Sequence, residues 1–178
     1  TKDNAVEKAT DYTKEVLDTL SKNDALPTMM TIGNEVNYNF LGLSEDGGWN
    51  GFVAMAALSE LINEKGVKTA LSIAAPNNAE DVQYVIEKLG YAKVNYEYLG
   101  VNLYADRSSI NDYVKTLRTT VEEKASDKQL IVSNIKFPRV DNTDTASTET
   151  QAESIYNLLS ASIDESNAGG LIYDEAEY

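Results

Sequence analysis

The chain has 178 residues, 42% of them hydrophobic, which suits one ordinary domain with a core of its own. Its 29 acidic against 15 basic residues leave a net charge of −14, which argues against nucleic acid and anionic membranes as partners, because phosphate binding needs clustered Lys and Arg. Cysteine and histidine are both absent, so disulfides, thiolate chemistry, Cys/His zinc sites and histidine triads are excluded within the chain. Any catalysis falls to carboxylates, tyrosine, lysine or a metal on oxygen ligands.

No apolar run approaches the roughly 18 residues of a membrane span, and no signal peptide is present. The chain opens on Thr1, which fits a processed or excised piece. Ala5 to Leu20 then reads as an amphipathic helix, with Val6, Ala9, Thr13, Val16, Leu17 and Leu20 at three- and four-residue spacings. Asn23-Asp24 and Pro27 end it.

The strand Thr28–Gly33 follows, and Asn34-Glu35 comes at its carboxyl end, where parallel α/β proteins present their chemistry. Val36 to Gly48 is expected to be a loop. Trp49 to Glu64 is an Ala-rich helix whose Phe52, Met55, Ala56, Ser59 and Ile62 share a face.

The pattern then repeats. Lys68–Ala74 is a short strand closed by Pro76. Ala79–Leu89 is a helix capped by Asn77-Asn78 and ended by Gly90. Tyr98–Tyr104 is a strand, Ser109–Lys124 a helix capped by Ser108 or Ser109, and Gln129–Asn134 a strand. After a polar loop at Asp141–Thr150, Gln151–Ile163 is a helix, and Gly169-Gly170 introduces the last strand, Leu171–Tyr173.

Short apolar strands alternating with amphipathic helices predict an α/β fold with a parallel sheet covered by helices. With no linker or composition shift, residues 1–178 are expected to form a single domain. Neither GxGxxG nor GxxxxGK[ST] occurs, which argues against dinucleotide and nucleoside triphosphate roles; no cofactor is expected. A chain that begins on a helix and ends on an uncovered strand has the look of a barrel cut at both ends.

Several of these stretches, in this order, carry a resemblance. Tyr12-Thr13-Lys14-Glu15-Val16-Leu17 and Ile32-Gly33-Asn34-Glu35-Val36-Asn37 resemble the endo-β-1,4-galactanases of glycoside hydrolase family 53. Leu99-Gly100-Val101-Asn102-Leu103-Tyr104 resembles that family's sixth-strand run, Leu130 to Asn134 the seventh, and Gly169 to Glu175 the eighth. The resemblance implies a partial TIM (β/α)8 barrel, from about helix 3 through strand 8, lacking its first three strands. The missing barrel half, or a second copy, is then expected to cover the open edges.

The resemblance also implies roles. Glu35 falls on the general acid/base and Asn34 on the residue that binds the sugar 2-hydroxyl. Tyr104 falls on a strand-six tyrosine that bonds the nucleophile. The nucleophile position itself holds Asn134. A retaining glycosidase needs two carboxylates roughly 5–5.5 Å apart, and an amide cannot form the glycosyl ester.

Ser72 stands where the family has a strand-five histidine, Asp106-Arg107 where it has a tryptophan, and Asp174 where it has the strand-eight tryptophan. Trp49 either lines a groove or caps its helix. Asp174 and Glu175 are either substitute pocket carboxylates or a solvated terminus. Asp141, Asp144 and Glu149 read as an ordinary polar loop, and no metal is expected there.

Three readings follow. The first is a degenerate galactanase-like barrel serving as a carbohydrate-binding or structural module of a larger, secreted or cell-surface protein, with a β-linked polysaccharide or oligosaccharide as partner. The alternative is an active glycoside hydrolase on β-linked galactan or a related glycan, with Glu35 as general acid/base. The third is an unrelated α/β domain whose Asn-Glu pair is accidental.

Overall fold

The apolar runs become five parallel strands in a computed structural model of the chain: β1 (Met29–Ile32), β2 (Lys68–Ala75), β3 (Tyr98–Leu103), β4 (Gln129–Ile135) and β5 (Ala168–Tyr173). The structure describes residues 2–43, 48–75, 79–103, 110–135, 152–153, 155–157, 159–160 and 168–173. α1 (Lys2–Lys22) precedes β1, and between the strands lie α2 (Val36–Asn39), a 3-10 turn at Phe40–Gly42, α3 (Trp49–Glu64), α4 (Ala79–Tyr91) and α5 (Ile110–Lys124). The described residues between 152 and 160 are helical, within the helix expected over Gln151–Ile163.

The strands lie side by side in chain order, β1-β2-β3-β4-β5. A doubly wound sheet reverses direction part-way and places helices on both faces. Here every crossover steps the same way, and crossovers of one hand then leave their helices on one face. The packing agrees: α1 lies on α3, α3 on α4 and α4 on α5. This is the arrangement of a barrel wall, with β1 and β5 at its two edges.

Alternation along the strands divides the sheet. Leu71, Ile73, Leu99, Val101, Leu103, Leu130 and Val132 join the apolar core. From the helices they meet Met55, Leu58, Ile62, Val82, Val85, Leu89, Val114, Leu117 and Val121. The intervening positions carry Ser72, Ala74, Gly100, Asn102 and Ser133, small or polar residues, together with Ile131. The helix side is the core, and polar groups gather on the opposite side, the one that would face the interior of a barrel.

Three helices end in one way. Ala25 N–H reaches back to Leu20 O, Val67 N–H to Ile62 O, and Val94 N–H to Leu89 O. The residue before each, Asp24, Gly66 or Lys93, is left-handed, with φ of 51, 74 and 60°. These are Schellman closures, and the residue that follows is buried at Val67 and Val94 but exposed at Ala25. The expected stop at Gly90 is corrected accordingly. Gly90 stays inside α4, and Lys93 takes the left-handed position despite its Cβ.

The expected loop from Val36 to Gly48 holds regular turns in its described part. It begins with the single turn α2 and the 3-10 turn, and Val36 and Leu43 are buried. Residues 44–47 lie outside the described set.

Candidate functional site

β1 ends at Ile32, and the chain turns at once through Gly33 at φ +64°. A Cβ there would lie 2.8 Å from Phe40 Cε2 and 2.9 Å from Val36 Cγ1, so the position requires glycine for space as well as conformation. Glu35 is itself left-handed, at φ 52°, ψ 46°. That is uncommon for a residue with a long side chain. Asn37 clasps the end of the neighbouring strand: Ala74 N–H donates to its Oδ1 at 2.9 Å, and its Nδ2 donates to Ala74 O at 3.1 Å. The turn is thereby fixed to β2, with Asn34 exposed and Glu35 half-buried at the strand ends.

Both residues meet a polar cluster that crosses three strands. Asn102 of β3, fully buried, donates through Nδ2 to Asn34 Oδ1 at 3.0 Å and to Glu35 Oε1 at 3.0 Å. Its Oδ1 accepts from Ser133 Oγ of β4 at 2.8 Å and from Ser72 Oγ of β2 at 2.9 Å. Ser72 Oγ also lies 3.1 Å from Asn34 Oδ1, so its single hydrogen is shared between two amide oxygens.

The sheet register builds this cluster. Asn102 pairs with Ala74 on one side and Ser133 on the other, while Ser72 stands opposite Gly100. A Cβ on Gly100 would lie 3.0 Å from Leu71 O and 3.5 Å from Ser133 Oγ, so its absence leaves room for the two serines to converge.

Of the residues singled out from sequence, Asn34 and Glu35 are brought together, and Ser72 joins them. Trp49 is 37% exposed at the first turn of α3, which starts at the same end of the sheet. The backbone of Asn134 belongs to β4, where three residue steps from Val132 to Ile135 span two on β5, from Leu171 to Tyr173. The strand carries an irregularity at the position expected to hold the nucleophile. The Asn134 side chain lies outside the described residues, as do Tyr104, Asp106, Arg107, Asp141, Asp144, Glu149, Asp174 and Glu175.

Sequence reasoning passed over Asn102, Ser133 and Asn37. A signal existed for the first: in Tyr98–Leu103 an asparagine, poorly suited to strands, takes the face opposite Leu99, Val101 and Leu103. Ser133 follows from its register with Asn102. Asn37 sits in a helical turn and gave no pattern to read.

Chemically, the described cluster offers two amides, two hydroxyls and one carboxylate. Such groups recognise neutral hydroxylated ligands by hydrogen bonding. No group of three or more acidic side chains placed to hold a metal occurs among the described residues. No helix among them is long and apolar enough to cross a membrane.

The family described as glycosyl hydrolase family 53 matches residues 1–176. No curated protein matches the chain.

Proposed function

The chain belongs to glycosyl hydrolase family 53, and from that premise we propose that it is a galactanase-like barrel segment that binds a β-linked galactan or related glycan without hydrolysing it through a glycosyl-enzyme. One observation carries the reading: the position that resembles the family's nucleophile holds Asn134. Retaining hydrolysis needs a carboxylate to attack the anomeric carbon and a second to protonate the leaving oxygen. An amide in the first position leaves Glu35 with protonation chemistry alone.

The binding half of the machinery is better represented. Asn34 and Glu35 stand at the end of β1 on a turn tied to β2, and both are engaged by Asn102. Asn34 and Glu35 supply amide and carboxylate contacts to sugar hydroxyls, and Trp49 offers an exposed aromatic face at the same end of the sheet. On this reading residues 1–178 form one unit of a larger secreted or cell-surface barrel, and β1 and β5 continue into strands supplied by another segment or chain.

Galactan oligosaccharides titrated by calorimetry and incubated in parallel for released reducing ends test the reading. Binding without turnover is the expected outcome. Turnover that disappears in Glu35→Gln would replace the binding reading with that of an active hydrolase.

A further inference from the structure

We infer that Asn102 is a positioning residue that sets the polarity of the whole cluster, so that Asn34 meets a ligand as a hydrogen-bond donor. The argument begins at Glu35, where the Asn102 atom 3.0 Å from Oε1 is the amide nitrogen, donating to the carboxylate. The Asn102 oxygen therefore faces β4 and β2, where the hydroxyls of Ser133 and Ser72 donate to it at 2.8 and 2.9 Å.

The second hydrogen of Asn102 Nδ2 points to Asn34, so the atom of Asn34 facing it at 3.0 Å is Oδ1. Ser72 Oγ, 3.1 Å away, shares its one hydrogen between this oxygen and that of Asn102. With its oxygen committed inward, Asn34 has only Nδ2 to turn toward a ligand. It reads an acceptor, such as a sugar ring or hydroxyl oxygen, and Glu35 reads a donor. Asn102 is fully buried and touches no ligand itself, so this control is exerted entirely through its two neighbours.

The selectivity for an acceptor rests on the glycan reading above; the orientation of Asn34 does not. The test uses Asn102→Ser and Asn102→Asp in the whole chain. Serine lacks the second donor and the reach to span both partners, while aspartate keeps the acceptor toward the two serines and sets a carboxylate against Glu35.

In wild type the Asn34 side-chain amide signals, assigned by their loss in Asn34→Ser, are expected at distinct NMR positions. Both Asn102 variants are expected to shift or broaden them. The affinity for galactan oligosaccharide is expected to fall about tenfold with serine, the effect of one lost hydrogen bond to a charged group. With aspartate it should fall further as pH rises through the carboxylate range, a dependence absent from the serine variant.

Asn34 signals and affinity unchanged in Asn102→Ser would overturn the inference, and this variant decides the matter alone where aspartate prevents folding. Asn34 signals that respond in a protein with no glycan affinity would uphold the positioning role and overturn the glycan reading.

Discussion

Asn102 Nδ2 donates to Asn34 Oδ1 at 3.0 Å, joining a buried strand residue to an exposed one at the end of a strand two places away in the sheet. Since Ser133 and Ser72 donate to the same side chain, its removal strands several polar groups at once. An orphaned buried group costs about 1–3 kcal/mol. Asn102→Leu is therefore expected to lose at least that much in urea unfolding, and Ser133→Ala about 1 kcal/mol. A leucine variant as stable as wild type would show that the cluster is not closed to water.

Gly33 and Gly66 separate two costs that glycine usually confounds. Both have positive φ, +64° and +74°, but a Cβ on Gly33 meets Phe40 and Val36 below 3 Å, whereas one on Gly66 meets nothing within 4 Å. Gly66→Ala is expected to lose about 1–2 kcal/mol, the left-handed penalty alone. Gly33→Ala is expected to lose more, and also to weaken glycan binding by moving Asn34 and Glu35. Equal losses in chemical denaturation would mean that Phe40 yields freely.

Glu35 sets function against stability. Its left-handed backbone costs about 1–2 kcal/mol relative to glycine, while the hydrogen bond from Asn102 returns about 1.5–3 kcal/mol. Glu35→Gly should thus unfold within about 2 kcal/mol of wild type and yet lose glycan binding. Strain retained for the sake of a side chain's position is common at functional sites. Binding that survives the glycine would remove Glu35 from the site.

Much of this fold was legible because apolar spacing is a local property. Trp49–Glu64 coincides with the expected helix, and the strands over Lys68–Ala75 and Tyr98–Leu103 match expectation at the described positions to within one residue. The missed features depend on partners distant in sequence. Gly90 carries a local helix-stop signal, yet α4 runs on until Val94 can close against Leu89. Asn102 lies 68 residues from Asn34, and only strand register brings them together. The pair Asn34-Glu35 could be found from its place after a strand, and Asn102 could be marked as a polar residue on a strand, but their partnership could not be read.

Two tyrosines give the fold an alkaline limit. Burial, with a smaller contribution from the charge of Asp127, pushes the Tyr96 phenol well above the usual tyrosine value. Burial and the charge of Asp81 push Tyr113 from 10.0 up to about 12. Each folded-state value is raised, so the stability these phenols contribute is complete below the unfolded value of 10.0 and is lost as pH rises toward about 12. The physical reason is that the unfolded chain can ionise its phenols where the folded chain resists. Unfolding free energies measured in urea at intervals from pH 8 to 11.5 should therefore hold level for these groups, then decline above pH 10. Tyr96→Phe and Tyr113→Phe each remove one such group, so each variant's stability relative to wild type should improve over that same range. A difference between variant and wild type that stays constant from pH 8 to 11.5 would show that neither phenol is shielded from ionisation in the folded protein.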